Sequence, residues 1–293
     1  MSTSSKLSLG TAKLGLPEYG QSDGGVLKDP TSFIMRSIDL GIRFIDTSPR
    51  YGNSEELIGQ ALKKCNKKSN ISTKVDNLTT NNFQTPKLMI DSINESIRKL
   101  GANIDICYLH QNEIEIISDQ YVHEGIRQLK QNGLVKEVGA SVYSKEELQY
   151  TLDSGVFDWV QIPVNILDTS FYHQVIEHNS NIQVAARSVF LQGIMFNDQW
   201  ARNSIKDHKE LLRTLNIVRG LCSKLGITIQ QLSVSYLSSL ERINQIIIGT
   251  ISDEKLINNF AFENIQLDEQ LIFDINEISL SSKPWTNPRG WKL

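Results

Sequence analysis

The sequence predicts an α/β protein folded as a (β/α)8 TIM barrel, and three observations predict it. Short apolar, β-branched runs alternate with helix-patterned segments along the whole chain. Eight such runs can be counted, and glycines stand where the helices between them should end. Eight βα units fit a closed barrel of 293 residues. An open doubly wound sheet is the alternative, weakened because no GxGxxG follows the first run.

The predicted strands, in order, are Leu7–Thr11, Arg43–Asp46, Ile71–Val75, Ile104–His110, Val135–Ser141, Trp159–Pro163, Ile182–Ser188 and Gln245–Gly249. Between them apolar residues recur at helical spacing: Ile93, Ile97 and Leu100; Val122, Ile126 and Leu129; Leu211, Leu215, Val218 and Cys222. Gly41, Gly101, Gly133, Gly155 and Gly226 are the expected left-handed stops. Asn53 and Glu56, ahead of Leu57 and Ile58, have the spacing of a capping box. No linker or low-complexity tract interrupts the repeat, so residues 1–293 read as one domain with a short tail from about residue 280.

Bulk properties exclude several functions. A net charge of -3 offers no basic surplus for nucleic acid or acidic lipid, so an anionic ligand needs a local site. Three cysteines without a CxxC pair suggest a reducing compartment. Neither a signal peptide nor a membrane span is evident, which points to the cytoplasm. Five scattered histidines make no metal set, and no GxSxG elbow occurs. The partner expected is a small molecule, and the chain is a monomer or a small homo-oligomer.

A barrel of this kind places its active site at the C-terminal ends of the strands. Strand two ends in Asp46, with Tyr51 shortly beyond; strand three ends in Lys74 and strand four in His110. Singly, each has an ordinary reading as a turn residue, a surface aromatic, a rim charge or a core histidine. Together they deliver a carboxylate, a phenol, an ammonium and an imidazole to one face, which suits carbonyl reduction. Tyr51 would protonate the developing alkoxide, and Lys74 would lower the phenol's pKa. Asp46 would hold the ammonium, and His110 would donate to the substrate oxygen.

Gly41-Ile42-Arg43-Phe44-Ile45-Asp46-Thr47-Ser48, followed by Tyr51-Gly52-Asn53-Ser54-Glu55, resembles the aldo-keto reductase family. The likeness to GxRxxDT(A/S) and YGxSE is gapless, and it extends from about Leu7 to Asn259. The resemblance implies a catalytic tetrad of Asp46, Tyr51, Lys74 and His110 and a bound NADPH, with NADH possible. It implies cofactor contacts at Gly10, Thr11, Ala12 and Asp46, and at Ser141 and Gln161, which resemble the pair that binds the carboxamide. Further contacts would come from Arg187, Ser188, Phe190, Gln192 and Gly193, then from Gly249, Thr250, Ser252, Lys255, Asn258 and Asn259 around the adenosine 2′-phosphate and adenine.

Three positions depart from the family pattern. Val142 follows Ser141 where relatives commonly have Asn; Arg187 stands where many carry a nicotinamide-stacking aromatic; Gly249 stands where many carry Lys. Arg187 has a second reading as an ion-paired residue of the barrel, and Lys255 as a helix-surface charge. Arg50, Trp200, Trp285, Asn287, Arg289 and Trp291 are candidate substrate contacts, and a sugar or nucleotide-sugar carbonyl is the substrate guess. Two other functions are weighed against the reductase. One is a cofactor-binding regulatory subunit of the same fold, like potassium-channel β subunits. The other is a cofactor-free lyase or isomerase using Lys74 as a Schiff base, which an acid paired with that lysine would disfavour.

Overall fold

The computed structural model describes residues 5–20, 27–65, 67–206, 208–280 and 283–291. Eight strands are all paired in parallel: β1 (Leu7–Gly10), β2 (Phe44–Asp46), β3 (Asn70–Val75), β4 (Ile104–Leu109), β5 (Val135–Ser141), β6 (Trp159–Pro163), β7 (Gln183–Arg187) and β8 (Gln245–Gly249). They form a closed barrel in sequence order. β1 pairs with β8, Leu7 opposite Ile246 and Gly10 opposite Gly249, which excludes the open sheet. The ends shift by a residue or so from the sequence reading. Thr11 and His110 lie one step past β1 and β4, and Ser188 leaves β7 at φ 60°.

The helices bury the faces that the spacing predicts. Ile93 and Leu100 in helix Thr85–Leu100, Val122, Ile126 and Leu129 in helix Gln120–Gln131, and Leu211, Leu215, Val218 and Cys222 in helix His208–Leu225 are all buried between helix and barrel. The five predicted glycine stops all have positive φ, from 61° at Gly101 to 117° at Gly41. Only glycine takes that conformation without steric cost.

The capping box falls elsewhere. Asn53 makes no side-chain cap, and Glu56 instead pairs with Lys99 of the neighbouring helix at 3.1 Å. The box forms at Ser144 and Glu147, where each side chain meets the other's backbone N–H. Inside the barrel, Ile106, Tyr108, Trp159, Ala185 and Ile247 make a small core, closing the floor beneath the strand ends.

The β7–β8 connection is the longest. It carries Leu191–Phe196, Asp198–Ser204, His208–Leu225 and Ile229–Ser239. After helix Glu269–Ser279, the tail returns towards the barrel and buries Trp285 and Trp291. Thr286 Oγ1 donates to Asp168 Oδ2 at 2.6 Å, and Trp291 Nε1 to the Trp285 carbonyl at 2.9 Å.

Candidate active site

Parallel pairing brings the strand-end polar residues together. Lys74 Nζ donates to Asp46 Oδ2 and to the Thr47 carbonyl, both at 2.8 Å. Asp46 Oδ1 accepts from Gln161 Nε2 at 3.0 Å and from Ser72 Oγ at 3.3 Å. Gln161 Oε1 in turn accepts from Ser141 Oγ at 3.1 Å. All of these side chains are buried, and each charge faces an opposite charge or a donor, the condition under which a buried pair is tolerated. Engaged on Asp46 and Thr47, Lys74 is arranged as a held cation rather than as an amine nucleophile.

Tyr51 is positioned by glycine contacts. The short helix Ala12–Gly15 lies so close to the Tyr51 loop that a Cβ on Gly15 would come within 1.7 Å of the Tyr51 carbonyl oxygen. Gly52, at φ 54°, would meet the Gly15 carbonyl oxygen at 2.3 Å. Only two glycines allow this contact, and it explains the Gly beside the Tyr in the motif. The next two motif residues tie the same loop down: Ser54 Oγ donates to Thr11 Oγ1 at 2.8 Å, and buried Glu55 accepts from Thr73 Oγ1 at 2.8 Å.

The phenol ring lies 5.1 Å from Lys74 Nζ and meets His110 edge-on, with centroids 6.1 Å apart. The expected lowering of its pKa is not found. Burial, then the Asp46 and Tyr143 charges, hold the phenol above its ordinary value, and only Arg187 opposes them. The reason is that the Asp46 carboxylate balances the ammonium. Tyr51 is therefore firmly protonated at neutral pH.

Burial pushes the His110 imidazole down to about 3, helped by Lys74, Arg50, Arg187 and Arg289. The ring is neutral at physiological pH. Its Nδ1 lies 3.2 Å from Ser48 Oγ. With the Ser48 hydroxyl donating, the ring proton sits on Nε2, available to an oxygen in the cavity. That tautomer is assigned from the hydrogen bond.

A cavity of about 610 Å3 opens at this end of the barrel, within the range of small-molecule sites. Asp46, Tyr51, Lys74 and His110 all line it. So do Gly10, Thr11, Ala12, Ser141, Gln161, Arg187, Ser188, Phe190, Gln192, Gly193, Gly249, Thr250, Lys255 and Asn259. Ser252 and Asn258 do not. Ser252 Oγ caps helix Asp253–Glu263 by accepting the Lys255 N–H at 3.3 Å. Asn258, in the same helix, stays off the cavity wall although its neighbour Asn259 lines it.

Of the substrate candidates only Arg289 reaches the wall. Arg50 pairs with Asp76, and Trp285 and Trp291 pack the tail. Among the described residues Arg187 makes no ion pair; it donates to the Val142 carbonyl at 2.6 Å and stacks on Tyr143. Tyr19, Gly20, Tyr143, Gln230 and Pro288 also line the cavity and were not singled out from the sequence. Gly20, at φ 71°, packs against a segment far away in sequence, since a Cβ there would meet the Gln192 carbonyl oxygen at 3.1 Å.

The cavity fits an extended dinucleotide. At the end near β8, buried Asn259 Nδ2 has no partner among the described residues while its Oδ1 accepts from Gln230 Nε2 at 2.8 Å, which leaves an amide donor for a heterocycle. At the tetrad end, Ser141 and Gln161 keep a second N–H and free lone pairs that a carboxamide can use.

A closed parallel barrel whose strand ends gather a phenol, an ammonium–carboxylate pair and a neutral imidazole in one cleft is the frame of a hydride-transfer oxidoreductase. The chain matches the Aldo/keto reductase family over residues 6–280 and belongs to it. It is 23% identical over 303 residues to the NADH-specific methylglyoxal reductase of Escherichia coli, covering 91% of this chain and 92% of that one. It is 24% identical over 314 residues to L-galactose dehydrogenase of Arabidopsis thaliana, covering 97% and 95%. Among solved structures, an aldo-keto reductase from Klebsiella pneumoniae in complex with NADPH shares the fold with a TM-score of 0.71. It is 19% identical and covers 97% of this chain and 94% of that one.

Proposed function

We propose that this aldo-keto reductase reduces an aldehyde or ketone to an alcohol with NADPH, and that Tyr51 is the general acid. The observation that carries the reading is the convergence of a protonated Tyr51, a neutral His110 and the saturated Asp46–Lys74 pair on one cavity. When bound, the dihydronicotinamide supplies the hydride. His110 Nε2–H orients and polarises the carbonyl oxygen, and Tyr51 gives its proton to that oxygen as negative charge develops. Lys74, held charged beside the ring, steadies the phenolate left behind. Asp46 keeps the ammonium in place and, through Gln161, ties it to the carboxamide contacts.

For the 2′-phosphate, Lys255 on the cavity wall supplies a cation at the start of helix Asp253–Glu263. Asp253 and Glu254 in the same first turn oppose it, and Asp253 is itself paired with Arg36 at 2.8 Å. The preference for NADPH is therefore modest, and NADH is also accepted, in keeping with the NADH-specific relative. Among the described residues no helix is long and apolar enough to cross a membrane. We place the enzyme in the cytoplasm as a monomer or small homo-oligomer.

None of the four tryptophans lines the cavity, and calorimetry reads cofactor binding without relying on them. The test is an NADPH titration followed by a carbonyl panel. A flat titration overturns the reading. Tyr51→Phe should lower kcat roughly 10²–10⁴-fold, the usual contribution of a positioned acid, with cofactor affinity nearly intact. Wild-type turnover by that variant would reject Tyr51 as the acid.

A further inference from the structure

The proton chemistry at Tyr51 leaves open what else the substrate carries, and the cavity wall bears on it. Two arginines line the cavity, Arg187 from the end of β7 and Arg289 from the tail. Each guanidinium carbon lies 3.7 Å from the centroid of the Tyr143 ring. Two cations at that distance cannot share one face, so the tyrosine is sandwiched between them.

Stacking uses the guanidinium faces and leaves the N–H edges to bond in plane. Arg187 donates to the Val142 carbonyl at 2.6 Å and to Ser188 Oγ at 3.2 Å, while its buried Nε–H has no partner among the described residues. Arg289 donates to Asn112 Oδ1 at 2.9 Å. Among the described residues neither arginine forms a salt bridge with a carboxylate, whereas Lys74 and Arg50 have Asp46 and Asp76. The surplus is local, because the chain as a whole carries -3.

The sandwich is a built feature. Glu147 Oε2 accepts the Tyr143 N–H at 2.6 Å and also takes the side-chain N–H of buried Asn112, whose oxygen holds Arg289. These neutral donors, with the Ser144 N–H, occupy that carboxylate. The Thr286–Asp168 bond anchors the tail just ahead of Arg289. Both arginines also belong to the cations that keep His110 neutral, which places them within electrostatic reach of the reacting carbonyl.

We infer that the substrate is a carbonyl compound bearing a carboxylate, an aldehyde acid or oxo acid, whose carboxylate is held by Arg187 and Arg289 while its carbonyl meets Tyr51 and His110. This rests on the carbonyl-reductase reading. A carboxylate accepts paired N–H bonds from guanidinium edges, supplying the negative charge that this wall lacks.

The test compares matched pairs with NADPH-saturated enzyme: succinic semialdehyde against butanal, and glyceraldehyde 3-phosphate against glyceraldehyde. The wild-type kcat/KM should favour succinic semialdehyde over butanal at least tenfold, mainly through KM. That advantage should shrink as sodium chloride rises from 20 to 300 mM. In Arg289→Gln the acid-to-neutral ratio should fall at least tenfold.

Equal use of the two aldehydes, or loss of both in equal proportion in Arg289→Gln, overturns the inference and leaves the reductase reading standing. A larger advantage for the phosphorylated pair overturns the carboxylate assignment. A parallel loss of NADPH affinity in Arg289→Gln would show that the arginines serve the cofactor instead. Should Arg289→Gln not fold, the wild-type ratio and its salt dependence decide alone. If no aldehyde oxidises NADPH, the reductase reading falls, and this inference with it.

Discussion

Lys74→Met should destabilise the protein in a strongly pH-dependent way. The Lys74 side chain is 2% exposed and that of Asp46 6%. Met keeps the apolar stem and deletes the charge, so Asp46 is left buried with only Gln161 and Ser72 as donors. Breaking a buried pair this way costs about 3–5 kcal/mol. The variant has one escape, which is to protonate Asp46. For a carboxylate whose ordinary pKa is about 3.9, neutralisation at pH 7 costs about 4 kcal/mol, at ~1.36 kcal/mol per unit. The loss at pH 7 should therefore be about 3–4 kcal/mol. With an unfolding entropy of about 2.1 cal/mol/K per residue over 293 residues, that lowers Tm by roughly 5–7 °C.

At pH 5 the same escape costs only about 1.5 kcal/mol, so the deficit should roughly halve. The sign follows from linkage. In the variant the folded-state pKa of Asp46 lies above its unfolded value, so the penalty is absent below the unfolded pKa and grows as pH rises towards the folded one. Urea unfolding of wild type and variant at pH 7 and pH 5 reads both numbers. A deficit under about 1 kcal/mol at pH 7, or one that stays the same at pH 5, would refute the uncompensated-charge account.

Gly15→Ala should lower kcat/KM at least tenfold while NADPH still binds, because its Cβ would displace the Tyr51 backbone; turnover within twofold of wild type would show that the glycine contact does not set the phenol. His110, held at about 3 in the folded protein against an ordinary value of about 6.5, takes up a proton in the unfolded chain before it does so in the native one. Stability should then fall on acidification through that window, by up to about 1.4 kcal/mol per pH unit. His110→Gln should flatten the curve of unfolding free energy between pH 6.5 and 5 by about 1.6 kcal/mol, and parallel curves for the two proteins would rule the assignment out.

The legible parts of this molecule are those whose cause is local. The glycine stops at Gly41 and Gly101 follow from left-handed backbone geometry, and the strands follow from short apolar runs, so both could be read along the chain. The convergence of Asp46, Tyr51, Lys74 and His110 could be read as well, since a barrel brings every strand end to one mouth whatever the loops do. What could not be read depends on partners distant in sequence. Asn53 and Glu56 satisfy the spacing of a capping box, yet Lys99 on the adjacent helix offers Glu56 an opposite charge, and the box forms at Ser144 and Glu147 instead.

The Tyr51 pKa failed for the same reason. Lys74 alone would pull it down, but Asp46 shares that charge and burial then dominates. The tail is the strongest case. Arg289 is one of six candidate contacts in the sequence, but nothing local marks the partner it stacks on, Tyr143, which lies 146 positions earlier (289 minus 143). Arg289 reaches the cavity only because Thr286 finds Asp168 and because Asn112, held by Glu147, receives its guanidinium. On the proposed reading, the proton chemistry comes from residues at the strand ends, while the charge that would select a substrate comes from the β5 loop, the end of β7 and the tail. A relative can keep the first and change the second, and for that reason the shared family identifies the class of reaction here without identifying the substrate.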